Sequence, residues 1–307
     1  MKRIFFTLTI IAGLLNYTQV KAQSNNKSVV DYHQKAETKF IEADGTKYAY
    51  RILGKQEGIP LVFLLHSFSS IDDWDPTITN GLAQSNKVIL FDNKGVGSSS
   101  GKTPDNIAQT AKDAVTFIKA LGYDKVNILG YSMGGMVTQQ ILLTEPQLVN
   151  KVILIGTGPK GAEGLSNLGK TLTDLSNLKP EQQLRKVLFT ESDQSQSLGT
   201  KAFERIQKRQ VNRDPAVTNE TIGAQLTAVL GWAQPNAEAF NELKTITQPI
   251  LIFEGKSDIL VPVINSFNLY NNLPNAKLAL YPDAAHGSLF QLPEEFLHEA
   301  IPFLQAK

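Results

Sequence analysis

Two serines of this chain sit in Gly-x-Ser-x-Gly patterns, and their surroundings separate them. Ser132 follows the apolar run Val126-Asn127-Ile128-Leu129 and precedes helix-compatible sequence, so the pattern falls on a strand-to-helix turn. In such a turn the serine takes a strained backbone conformation that pushes its hydroxyl outward, and Gly130 and Gly134 keep neighbouring side chains from colliding across the bend. Ser99 follows no buried strand and runs into Gly101-Lys102-Thr103-Pro104-Asp105, a turn sequence, which makes it a loop residue.

A serine alcohol is a weak nucleophile at neutral pH, so Ser132 needs a base and the base needs an orienting acid. Four histidines are available. His33 lies near the amino terminus, His66 ends an apolar run, and His298 belongs to the terminal helical pattern 293–304. His286 instead follows the apolar run Lys277 to Tyr281 in a loop, where strand ends present side chains to a crevice. Asp258 occupies a similar place after Ile250 to Phe253, giving the order Ser132, Asp258, His286. Glu254 and Asp283 are rival acids in the same two loops.

These residues need a frame. Phe40 to Leu53 reads as a hairpin around Asp44-Gly45. Short apolar runs follow at 59–65, 87–91, 125–129, 151–155, 249–253 and 276–281, separated by helix-length segments such as Asn106 to Leu121, which stops at Gly122. The reading is an α/β fold: a mostly parallel sheet with helices on both faces. Between 157 and 247 the rhythm breaks into helical patterns near 164–178, 181–188, 200–209 and 219–232, predicting an inserted helical cap between core segments 37–156 and 248–307. Trp232 and Leu230, at helical spacing in that cap, are candidate substrate contacts, with packing between cap and core the alternative.

The whole set resembles the α/β-hydrolase family, specifically cap-bearing serine esterases and lactonases, whose relatives include cofactor-free haloperoxidase-like hydrolases. The resemblance implies that Asp258 and His286 complete a triad with Ser132. It also implies that the N–H groups of Phe68, in His66-Ser67-Phe68, and of Met133 form an oxyanion hole, although Ser67 stands where the family usually has glycine. Asp92-Asn93-Lys94-Gly95-Val96-Gly97-Ser98 is similar to a structural turn of the family, with lysine in place of arginine. The implied activity is cleavage of a small to medium, uncharged ester or lactone with no cofactor and no metal. Peracid formation, lyase chemistry or slow-turnover ligand reception on the same scaffold are the alternatives.

Lys2 and Arg3 before the apolar run Ile4 to Leu15, then Val20-Lys21-Ala22, predict a signal peptide at 1–22 and a periplasmic or secreted protein. Residues 23–36 read as a flexible polar leader. Cleavage would turn 30 basic and 29 acidic side chains into 27 and 29, since Lys2, Arg3 and Lys21 leave with no acid. Such a balance, without a basic tract, speaks against nucleic acid as a partner, and no later segment is apolar enough to span a membrane. With no cysteine, disulfide and thiolate chemistry are excluded.

Overall fold

The computed structural model describes residues 30–306. In chain order these form α1 (Tyr32–Lys35), β1 (Lys39–Ala43), β2 (Thr46–Gly54), β3 (Leu61–Leu64), α2 (Pro76–Ala83), β4 (Lys87–Phe91), α3 (Ile107–Ala120), β5 (Val126–Tyr131), α4 (Met133–Thr144) and β6 (Val149–Ile155). A helical stretch follows: α5 (Leu168–Leu175), α6 (Pro180–Leu188), α7 (Asp193–Ile206), α8 (Asn219–Trp232) and α9 (Ala239–Lys244). The chain then returns through β7 (Ile250–Gly255), α10 (Ile264–Asn272), β8 (Ala276–Tyr281), α11 (Ser288–Gln291) and α12 (Pro293–Gln305).

One sheet of 8 strands runs in the order β1-β2-β4-β3-β5-β6-β7-β8. The β1–β2 and β2–β4 pairs are antiparallel, and β4 through β8 are parallel. The parallel strands are apolar on both faces because helices cover both. In β3, Val62 and Leu64 face the core made with α3 and α4, while Leu61 and Phe63 face the one made with α2 and α12. Each residue of β5 is buried, so a strand that looks uniformly apolar in sequence serves two cores at once.

α3 shows how local signals set an element. Asn106 caps it by accepting from the Gln109 N–H at 2.8 Å, and Ile107, Ala111, Ala114, Val115 and Ile118 are buried. Gly122, at φ +81, carries the chain out of the helix. Between β6 and β7 the chain is helical, as its sequence pattern predicts, though α7 begins at Asp193, earlier than the expected 200, and α9 was not expected.

The leader is not loose over 31–36. Asp31 caps α1, and His33 is buried with Nδ1 2.9 Å from Thr79 Oγ1. Arg209, just beyond α7, donates to the carbonyls of His33, Gln34 and Ala36 at 2.6, 3.1 and 2.9 Å. A polar segment becomes ordered here because its carbonyls satisfy a buried guanidinium. The predicted signal peptide, and residues 23–29 of the leader, lie outside the described residues.

Candidate active site

Ser132 stands between the end of β5 and the first residue of α4 with φ 54 and ψ −117, a left-handed conformation that costs a side-chain-bearing residue energy. Its N–H donates to Ile155 O at 2.8 Å, which fastens the turn to the end of β6. The flanking glycines are required by close approach. A Cβ on Gly134 would lie 2.1 Å from Leu64 O, and one on Gly130 would lie 2.3 Å from Thr138 Oγ1.

The loops after β7 and β8 bring the other two groups to this serine. The Ser132 hydroxyl lies 3.0 Å from His286 Nε2, and His286 Nδ1 lies 2.6 Å from Asp258 Oδ2. Because an ionised carboxylate only accepts, Nδ1 carries the proton and Nε2 is left free to receive the serine's. Asp258 is oriented in turn by the N–H groups of Leu260 and Val261, which donate to Oδ1 at 2.8 and 2.9 Å. Asp258 and His286 are both buried, with 5% and 4% of their surfaces exposed, so water cannot easily replace either bond. Gly156, at φ +53, leaves the imidazole its place, since a Cβ there would sit 3.1 Å from the ring.

The rival acids are engaged elsewhere. Glu254 accepts from Gly255 N–H at 2.8 Å and Ser266 Oγ at 2.9 Å, and burial, reinforced by the charge of Asp258, holds its carboxyl well above the usual range. Asp283 is exposed and accepts from Thr190 and Ser192 at 2.6 and 2.7 Å, bonds that lower it and tie the loop after β8 to the segment between α6 and α7. His66 lines the same cavity as Ser132 and packs against the rings of Tyr131, Phe290 and Trp74, at centroid distances of 4.8, 6.3 and 6.4 Å. Burial is the main reason its pKa falls to about 4, and its Nδ1–H donates to Ser67 O at 3.0 Å, bracing the loop that carries Phe68.

Phe68 has φ 65 and its N–H donates to Gln225 Oε1 of α8 at 2.7 Å. Met133 opens α4, where the first N–H groups of a helix have no partner within it. Of the two N–H groups that the sequence reading expected in an oxyanion hole, that of Phe68 meets a side chain of α8 that sequence reasoning passed over. Gln225 is a lone amide between the apolar Ile222 and Val229, and that interruption was the available signal.

A cavity of about 390 Å³ opens above Ser132 and His286. Its walls come from Phe68 and Met136, from Leu165, Leu168, Leu172 and Leu175 leading into and along α5, from Leu184, Val187 and Leu188 of α6, from Ile222 and Val229 of α8, and from Leu260 and Val261. No Lys, Arg, Asp or Glu is among the lining residues. Trp232 and Leu230, expected as substrate contacts, are not there. Trp232 is buried beside the α4 side of the core, where its Nε1 donates to Gly158 O at 3.1 Å, and Leu230 packs on the same cluster. The correction follows from helix geometry: at about 100° per residue, Leu230 and Trp232 lie roughly 100° and 60° away from the Ile222–Val229 line that faces the cavity. Among the described residues no group of three or more His, Asp or Glu side chains is placed to hold a metal ion.

The family pattern described as alpha/beta hydrolase fold matches residues 60–293, which spans the sheet from before β3 to the start of α12. The chain belongs to the α/β-hydrolase family and is a hydrolase of that fold. It is similar to a solved alpha/beta hydrolase fold protein from Chitinophaga pinensis, with 39% identity, a TM-score of 0.87, and coverage of 90% of this chain and 99% of the other. It is also similar to Est816, described as an N-acyl homoserine lactone degrading enzyme, at 25% identity and a TM-score of 0.67, covering 86% of this chain and 100% of that one. A 2-hydroxy-6-oxo-6-phenylhexa-2,4-dienoate hydrolase of Burkholderia cepacia is 28% identical over 229 residues, 71% of this chain and 77% of its own.

Proposed function

We propose that the protein is an exported serine hydrolase that cleaves uncharged esters or lactones with an apolar acyl part through an acyl-enzyme. The observation that carries this reading is the continuous relay from Ser132 Oγ to His286 Nε2, 3.0 Å, and from His286 Nδ1 to Asp258 Oδ2, 2.6 Å. Ser132 attacks the acyl carbon as His286 takes its proton, and Asp258 stabilises the imidazolium that forms. The carbonyl oxygen becomes an oxyanion received by the N–H groups of Met133 and Phe68, at a helix start and a loop where backbone donors are preorganised. Collapse of the tetrahedral species expels the alcohol, which takes the proton from His286. Water, deprotonated by the same base, then releases the acid and restores the serine.

The cavity supports the choice of substrate. An anionic acyl group would lose its hydration there without a cation to replace it, whereas an aliphatic or aromatic chain finds leucine, valine and isoleucine surfaces. Export rests on the basic and apolar start of the chain with a small-residue site at Ala22. Intact mass of the exported protein checks it: a chain beginning at Gln23 is expected, and a chain retaining Met1 would count against it.

The test of the chemistry is labelling with a serine-directed fluorophosphonate, followed by peptide mapping and by turnover of a series of p-nitrophenyl esters and lactones. Modification at Ser132, with turnover that rises from acetyl to longer acyl groups and is absent for an ester bearing a carboxylate on its acyl chain, is the expected result. Modification at Ser99, or an active enzyme that resists the reagent, would refute the assignment.

A further inference from the structure

Gln225 is a buried polar residue of the cap that the hydrolytic relay leaves unused. It is 2% exposed, lies on α8 between two residues that line the substrate cavity, and makes one side-chain hydrogen bond among the described residues, from Phe68 N–H to its Oε1 at 2.7 Å. An amide oxygen is an sp² carbonyl acceptor, the same kind of atom that an ester or lactone would offer to that N–H. We infer that Gln225 is an internal stand-in for the substrate carbonyl: in the resting enzyme the cap fills one oxyanion donor, and a productive substrate must displace this side chain. The inference rests on the serine-hydrolase reading and adds a specificity-determining residue to it.

The displacement is a side-chain rotation, because the helix itself is fastened at both ends. Toward its start, Thr221 Oγ1 donates to Gly95 O at 2.9 Å and meets Thr103 Oγ1 at 3.0 Å. At its end, Gly161 N–H donates to Trp232 O at 2.9 Å, and Trp232 Nε1 donates to Gly158 O. Gln225, one turn after Thr221, has no such second anchor. The result is selection by occupancy. A substrate whose acyl chain fills the cavity beside Ile222 and Val229 gains contacts that offset the lost amide bond, while a small ester or water does not. The same contact gives the half-buried Phe68 N–H a protein partner between turnovers.

Two substitutions of similar size separate displacement from a merely structural bond. Gln225→Met removes the acceptor and keeps the volume. Gln225→Glu replaces the amide oxygen with a carboxylate, which binds the N–H more strongly and repels the oxyanion. With an ethyl fluorophosphonate as probe, the labelling rate of Ser132 should rise about fivefold in Gln225→Met and fall about tenfold or more in Gln225→Glu at pH 8. For p-nitrophenyl acetate, kcat/KM should follow the same order, and the gain in Gln225→Met should shrink toward the octanoyl ester. Melting temperatures measured alongside verify that the variants fold. In a crystal structure of the phosphonylated parent, the phosphonyl oxygen should take the Phe68 N–H with Gln225 turned away. Equal labelling rates in all three proteins, a slower Gln225→Met, or an unmoved Gln225 in the phosphonylated structure would each overturn the inference while leaving the hydrolase intact. Failure of the parent itself to be labelled would remove the serine-hydrolase reading and this inference with it.

Discussion

The two Gly-x-Ser-x-Gly segments have the same spelling and opposite designs. At Ser132 the backbone is forced to φ 54, the hydroxyl reaches a histidine, and the side chain opens onto a cavity. At Ser99 the serine is buried, donating its hydroxyl to Asp92 O at 2.8 Å and accepting from Ala49 N–H at 2.9 Å. One hydroxyl is held ready to leave its partner, while the other staples a loop to β2. The difference is set by what precedes each segment: β5 delivers Ser132 to the rim of the sheet, whereas Ser99 closes a turn already held by Asp92, which accepts from Ile71 and Ser98 N–H groups.

The largest contrast should come from the serines themselves. Ser132→Ala should lose turnover by a factor of about 10⁴ or more with little change in melting temperature, since the role proposed for the hydroxyl is catalytic and relief of its contact costs the fold little. Ser99→Ala should keep near-parent turnover per folded molecule but lose about 1–3 kcal/mol of stability, because the Ala49 N–H is left buried without its acceptor. Esterase assays and urea unfolding on both variants check the pair. Loss of turnover in a fully folded Ser99→Ala would break the distinction.

The acids sharpen it next. Asp258→Asn should reduce turnover about 10⁴-fold, as an amide no longer holds the imidazole in the tautomer that leaves Nε2 free. Glu254→Gln should stay within about tenfold, because its contacts are Gly255 and Ser266 rather than His286. If the two variants exchanged these outcomes, the orienting group would be Glu254.

Much of this arrangement is legible in the residues alone. Strands such as β4 and β5 are short apolar runs with turns on either side, so their existence follows from composition, and the order of Ser132, Asp258 and His286 follows from which loops close which strands. Cap contacts are less legible. The leucines at 165, 168, 172 and 175 show a helical stripe, as do Leu230 and Trp232, but nothing in a stripe tells cavity wall from packed core. The buried charges were invisible for a different reason. Arg51 meets Asp72 at 2.6 Å, Asp72 accepts from Asp214 N–H at 2.6 Å, and Arg205 forks onto Asp75, with Nη2 2.6 Å from Oδ2. These partners are far apart in the chain, and in sequence each reads as an ordinary surface charge.

Glycines give the third contrast. Gly134→Ala should cost about 3 kcal/mol or more, or prevent folding, because the new Cβ would meet backbone at Leu64 O, 2.1 Å away, and neither strand nor helix can yield. Gly101→Ala should cost about 1–2 kcal/mol: its φ of +96 strains any L residue, but the nearest atoms, 3.0 Å away, belong to the movable Lys94 side chain. Thermal unfolding of both proteins measures the gap, and equal losses would mean that the elbow is no more tightly packed than the loop.

The smallest expected effect is one of sign. Each segment neighbours a titratable group whose charge is suppressed mainly by burial: His66, packed on Tyr131 beside Ser132, and Asp92, bonded to Ser98 and Ser99. His66 falls from 6.5 to about 4, so the unfolded chain takes up its proton first and this site loses stability as pH drops from 6.5 toward 4. Asp92 is raised well above 3.8, by burial first and then by the charge of Asp214, so the folded chain holds its proton longer and this site loses stability as pH rises above 3.8. Substituting either group lowers stability outright, but the deficit should vary with pH in opposite directions. For His66→Gln the gap to the parent should narrow by something on the order of 1 kcal/mol as pH falls from 6.5 toward 4, and for Asp92→Asn it should narrow as pH rises. Urea unfolding of the three proteins at pH 4.5, 6 and 7.5 resolves both slopes. A common sign for the two variants would show that the elbow and the loop are not buried in the way their hydrogen bonds describe.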